Sequence, residues 1–396
     1  MSRPALLMIV LMIAAGPAAA QVQVSQLAAP DAFSTAGRET GLPSDLWRGT
    51  PIETARAVLP LVATRPLSPA AAALARGILA TGAEGPEGSA GDAGLVGARA
   101  NGLIALGDVA AAAKILDRAP GLDRNADLAR AAAETALLKG DPVRACAVAT
   151  ALSTGRGEIY WLRLRAFCQF EAGQTAQAQL TFDLAQTQAR DATYGRLMAA
   201  RLTGAAPGVG SLRNGLDLAL SKALGLDLVT IKPAPAVAAA ASGQAPPAPI
   251  FDVTLIDASV GGLANVLRDG VPSEAAVSAL IATAAEADLK TRVRLQSAAL
   301  LIAALAGDLP ARDRAKIAGF TVAEGRAPAG RNLALDAAGD ARRAGEVALL
   351  ALATSVEAGG GGPALGDRVR IIHALAKAGL VDDARRFALE GLAGLK

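Results

Sequence analysis

Histidine occurs once in these 396 residues, and cysteine, tryptophan and tyrosine twice each. So few imidazole and thiolate ligands exclude the common zinc, haem and iron–sulfur centres, and no metal or cofactor is expected. Aromatic residues make up only 3% of the chain, whereas alanine fills about a quarter of it, a bias that suits close helix contacts and leaves little for sheets. Charge of one sign is also lacking: 39 basic residues face 36 acidic ones, a formal balance of +3 with no basic tract. That leaves no electrostatic footprint for a nucleic-acid partner. No P-loop, H-E-x-x-H or G-x-S-x-G pattern occurs, and no glycine cluster follows a clear strand and opens a helix. The composition points to an all-α chain without naming a reaction, and the missing catalytic motifs make a non-enzyme the expectation.

At the N-terminus, a lone Arg3 precedes an apolar run over residues 5–15, followed by Gly16, Pro17 and small residues. This is the layout of a secretory leader over residues 1–20, with cleavage expected after Ala20 and export to a bacterial periplasm. The run is shorter than the roughly 20 residues a spanning helix needs, although retention as an anchor stays open. No later segment is long and apolar enough to span a membrane.

What the chain does have is a period. Gly107, Gly140 and Gly173 stand 33 residues apart, in the contexts Gly107-Asp-Val-Ala-Ala-Ala112, Gly140-Asp-Pro-Val-Arg-Ala145 and Gly173-Gln-Thr-Ala-Gln-Ala178. Looser echoes fall at Gly307-Asp308, Gly339-Asp340 and Gly379. Glycine accepts the left-handed backbone that ends a helix, and the following Asp can accept the free N–H groups that open the next. Pro142 sits where its missing N–H costs nothing. With helical flanks over 95–106, 126–139 and 158–172, each motif reads as the corner of a helical hairpin.

These corners resemble the tetratricopeptide (TPR) repeat. The resemblance includes Ala100, Ala133 and Ala166, seven residues before the glycines, and Ala112, Ala145 and Ala178, five after them. It covers 94–206 well and 290–396 loosely. The usual early tryptophan is mostly absent, and the aromatic of the second helix survives only as Phe182. The resemblance implies an α-solenoid of TPR-like hairpins whose concave groove binds a partner. Arg130, Arg163 and Arg196, again 33 apart, occupy the position that faces such a groove, with Glu134, Tyr160 and Phe167 on nearby groove positions. A column of guanidinium groups there would suit a protein or peptide partner of acidic character. The plainer reading is three solvated arginines.

The expected organisation is an N-terminal helical segment at 27–90 with short helices at 51–63 and 68–81, TPR-like repeats at 91–206, a Pro/Ala-rich linker or strap within 207–249, and a C-terminal helical repeat region at 250–396. The runs 226–231 and 250–256 read as short strands or as buried helix ends. Cys146 and Cys168 lie on either side of Gly157 in the loop joining two antiparallel helices, at equal distances along the chain. That symmetry brings them to one height, where export favours a disulfide. Two free thiols or a redox pair are the alternatives. His373, in an apolar helical stretch, and Trp47 and Trp161 read as structural, and Asp382-Asp383 as charge at a helix start. The function expected is a periplasmic, non-enzymatic scaffold for a partner protein or peptide in envelope assembly or maintenance. An accessory or enzyme of peptidoglycan metabolism and a purely structural envelope component are the other readings.

Overall fold

The computed structural model describes residues 31, 33–252, 258–306 and 309–395. The leader at 1–20, the start of the 27–90 segment and the Gly307-Asp308 echo lie outside the described residues. Among those described, the sole extended pairing is an isolated antiparallel bridge between Asp31 and Ala90, and the regular structure is otherwise helical. Residues 226–231 are irregular, with a turn at 229–230, and not a strand. Of the run at 250–256, residues 253–256 are outside the described set.

Near the N-terminus, α1 (Ile52–Val58) runs into a 3₁₀ turn (Leu59–Ala63) and is followed by α2 (Pro69–Ala80). Three hairpins come next: α3 (Ala93–Ala105) with α4 (Val109–Leu116), α5 (Ala126–Leu138) with α6 (Pro142–Ala151), and α7 (Ile159–Glu171) with α8 (Thr175–Gln188). Their corners are built alike. Gly107, Gly140 and Gly173 take φ of +82°, +79° and +75°. In each corner the next residue's N–H returns to the preceding helix, from Asp108, Asp141 and Gln174 to the carbonyls of Leu103, Ala136 and Gln169, all at 2.8 Å. Asp108 and Asp141 then cap the second helix by accepting the N–H groups of Ala111 and Arg144. Ala100, Ala133, Ala166, Ala112, Ala145 and Ala178 have no exposed surface, so larger side chains there would force the paired helices apart.

The period also extends to residues other than the glycines. Asp92, Asn125, Glu158 and Asp191 precede the first helices at 33-residue spacing, and all but Glu158 accept a first-turn N–H. Leu95, Leu128, Trp161 and Tyr194 share one buried position. The last of these lies on α9 (Ala192–Thr203), which is not followed by a matching second helix. Instead α10 (Gly215–Ala223) folds back against α5 as well as α9. Beyond it, the Pro/Ala-rich stretch is an ordered strap: Ala234 donates to the Leu212 carbonyl at 2.9 Å, and α11 (Pro235–Ser242) lies on α3, α4 and α5.

The C-terminal half comprises α12 (Ala258–Asp269), α13 (Glu274–Ala285), α14 (Arg292–Ala303), α15 (Ala311–Ile317), α16 (Ala329–Asp340), α17 (Ala344–Ala358), α18 (Leu365–Lys377) and α19 (Val381–Ala393). Gly379, with φ of +85°, makes the α18–α19 corner. Gly339 does not make the α16–α17 corner. It is buried inside α16, where an added Cβ would come 3.1 Å from the Ala374 backbone, and the left-handed residue is Arg342 at φ +54°. Close helix contact and not turn chemistry therefore explains Gly339.

The N-terminal segment does not form a unit of its own. Helices α17 and α19 pack on α2, and α17 also packs on α1. Phe33, Trp47 and Leu74 share one core with Val347, Leu352 and Phe387. The Gly345 N–H donates to the Leu46 carbonyl at 2.9 Å. Arg99, fully buried on α3, donates to the carbonyls of Leu79, Thr81 and Thr35, tying α3 to this segment, and burial lowers its pKa to about 9. A second core, with Trp161, Phe167, Tyr194, Leu197 and Leu216, fills the space between α5 and α10. Cys146 on α6 and Cys168 on α7 are joined beside it, with S–S 2.00 Å and Cα–Cα 5.5 Å.

Candidate functional site

The first helices of the hairpins share a cavity of about 780 Å³. Leu95, Ala98 and Asn101 of α3, Asp127, Arg130 and Glu134 of α5, and Ile159, Tyr160 and Arg163 of α7 line it. Asp191 and Tyr194 at the start of α9 continue the wall, Arg56 and Pro60 close one end, and Asn214, Leu216 and Asp217 of the α10 region close the other. The 33-residue spacing accounts for this convergence. Equivalent positions on successive first helices point the same way, so side chains far apart in sequence meet in one groove.

Four of the six residues expected in a groove are here: Arg130, Arg163, Glu134 and Tyr160. The other two are placed elsewhere. Phe167 is 2% exposed and belongs to the second core, because its aromatic ring fills the space between hairpins. Arg196 does not line the cavity. Its guanidinium donates to the Val209 carbonyl at 2.7 Å, held by the return loop that replaces a fourth second helix. The arginine column thus ends after two members.

Arg163 is half-buried and Arg130 exposed, and both lie on aromatic rings. Arg130 stacks 4.8 Å above the Tyr160 ring, and Arg163 stacks 5.4 Å above the Tyr194 ring, each on the aromatic of the next first helix. Arg163 also donates to the Ala189 carbonyl at 2.9 Å and lies 3.4 Å from Asp191. Arg213 reaches Asp191 at 3.1 Å and Asp217 at 2.6 Å. At the far end Arg56 donates twice to one Asp92 oxygen, at 3.0 and 2.9 Å. Among the described residues, no carboxylate lies within ion-pair distance of Arg130, and no cation within that distance of Asp127.

Glu134 links three elements. One carboxyl oxygen accepts the Gly215 N–H at the start of α10, and the other accepts the Tyr160 hydroxyl at 3.3 Å. Burial raises its pKa above the ordinary value, outweighing those hydrogen bonds and the nearby Arg130. Burial, with the Glu134 charge beside it, likewise pushes the Tyr160 hydroxyl well up. Asp191 goes the other way: burial opposes its charge, but the Tyr194 N–H, Arg213 and Arg163 hold its pKa below the usual range.

Of the lining carboxylates, only Glu134 is expected from the sequence. Asp92, Asp127, Asp191 and Asp217 line the groove beside Glu134, giving five carboxylates against the three guanidiniums of Arg56, Arg130 and Arg163. The signal for two of them was present, since Asp92 and Asp191 sit in the same 33-residue series as the helix caps. His373 contacts the Ala304 carbonyl at 3.4 Å, away from the groove, and Asp383 pairs with Arg386 in the first turn of α19. Among the described residues no group of three or more His, Cys, Asp or Glu side chains is placed to hold a metal ion. No described helix is long and apolar enough to cross a membrane. No family model, curated protein or solved structure matches this chain.

Proposed function

We propose that this chain is an exported interaction module. In this reading the hairpins from α3 to α9 form a short TPR-like solenoid, and its concave groove holds an extended segment of a partner protein in the periplasm, serving envelope assembly or maintenance. The observation that carries the reading is the convergence of four successive first helices on one open groove, with Arg130 laid on Tyr160 and, among the described residues, no carboxylate within ion-pair distance of it. A guanidinium fixed by stacking and free to take a planar acceptor is suited to anchor a partner carboxylate.

Glu134 and Asp191, whose pKa values are pushed apart, are the pair an acid–base mechanism would call on. Both are committed to backbone N–H groups and to side chains of neighbouring helices. That commitment supports binding over catalysis.

The test is site-specific photocrosslinking in intact cells, with the photoreactive residue placed at Asn101 inside the groove or at Leu180 on the outer face of α8. The expected result is an adduct with a discrete envelope protein from position 101 only, suppressed by Arg130→Ala. Adducts of equal yield from both positions, or an adduct indifferent to Arg130→Ala, would overturn the assignment.

A further inference from the structure

The groove's internal ion pairs decide what charge an occupant must carry. Arg56 is taken by Asp92, and Arg163 by Asp191 and the Ala189 carbonyl, so Arg130 is the guanidinium left to an incoming group. Asp191 and Asp217 are occupied by Arg213, and Glu134 by Gly215 and Tyr160. Asp127 alone among the lining carboxylates has, among the described residues, neither a cation nor a hydrogen-bond donor against it. Asp127 and Arg130 lie three residues apart on α5, both exposed, a spacing that puts their Cβ atoms about 5–6 Å apart on one helix face. The stacked ring of Tyr160 holds the Arg130 guanidinium in place.

From this we infer that the groove selects a peptide segment bearing one acidic and one basic side chain side by side, the acid seated on Arg130 and the base on Asp127, in preference to a purely acidic segment. The inference rests on the groove being a binding site at all, as proposed above. A second acidic side chain on the occupant would find Arg56, Arg163 and Arg213 already paired within the protein and would lie beside Asp127, and like charges brought together across an interface select against a partner. A basic side chain in that place meets the one carboxylate the protein leaves free. The charge preference suggested by a column of three arginines is thereby replaced by a mixed one.

The probe is a phage-displayed library of random peptides selected on the full chain, followed by fluorescence-anisotropy titration of the enriched peptides. The expected result is enrichment of sequences with paired acidic and basic residues. Their affinity falls about tenfold for Arg130→Ala, the loss of a charge-assisted hydrogen bond, and by a few-fold for Asp127→Asn, the loss of an exposed ion pair. Circular dichroism of both variants checks that the fold is retained. The double exchange Asp127→Arg with Arg130→Asp should keep the preference for mixed charge and reverse its order along the peptide. Enrichment of polyacidic peptides that bind equally well to Asp127→Asn overturns the inference and leaves the groove reading standing. Failure to enrich any peptide whose binding depends on Arg130 overturns both.

Discussion

Opening the Cys146–Cys168 bridge tests whether the second core is a cooperative unit of its own. The cysteines are 22 residues apart in sequence, and loop-closure entropy for that length corresponds to about 3 kcal/mol of stabilisation at 25 °C. What this does to a melting curve depends on what melts together. The second core draws on residues 129 to 220, and for a unit of roughly 100 residues each kcal/mol moves Tm by about 4–8 °C. Loss of the bridge should then lower that transition by about 12–24 °C. Were the whole chain to unfold at once, its entropy of unfolding would be about four times larger and the shift only about 4 °C. Differential scanning calorimetry of the Cys146→Ala/Cys168→Ala variant, compared with the oxidised protein, separates the two cases. We expect two transitions, of which one moves by more than about 10 °C and the other stays in place. A single transition displaced by a few degrees would refute the independence of the second core. No displacement at all would refute the loop-entropy argument.

Glu134→Gln should raise stability at neutral pH. The folded-state pKa of Glu134 lies above its ordinary value of 4.5, so its favourable contribution is complete below that value and is lost as pH rises through the raised folded pKa. Glutamine keeps an acceptor for the Gly215 N–H without the buried charge. Urea midpoints should therefore favour the variant at pH 7 and converge with wild type near about pH 4; a variant weaker at pH 7 would contradict the assignment. Arg342→Gly should stabilise by about 1 kcal/mol by removing a side chain from left-handed backbone, and Gly140→Ala should destabilise by about 1–2 kcal/mol. In the latter case an added Cβ would meet nothing within 4 Å, so any loss is conformational and not steric, and it should appear as a changed denaturation midpoint at constant slope.

The features legible in the sequence were those set by local chemistry. Gly107, Gly140 and Gly173 fix three corners, two of them with a capping Asp, and the first helices expected at 95–106, 126–139 and 158–172 begin and end within two residues of those bounds. The motif misled at Gly339, where glycine serves contact with Ala374 and the corner is left to Arg342. Nothing in residues 27–90 marks α17 and α19 as their partners, because a buried alanine or leucine face fits many surfaces equally well. The groove was half legible for a related reason. Periodicity aligns Arg130 with Arg163, but the groups that hold Arg163 are the Asp191 cap and the Ala189 carbonyl in the α8–α9 connection, and the Arg213 that shares Asp191 comes from the chain's path after α9. Arg196 kept the spacing and lost the groove because the element that follows it is different.

The late position of α17 and α19 along the chain has a consequence for how the protein is made. Phe33, Trp47 and Leu74 emerge from synthesis early, yet the surface that covers them is completed only by helices more than 250 residues further on. The central hairpins depend on near neighbours and can consolidate as they appear, so folding starts in the middle and the two flanks join last. Until then an apolar surface stays open, and it is in that interval that the nascent chain is most in need of a chaperone.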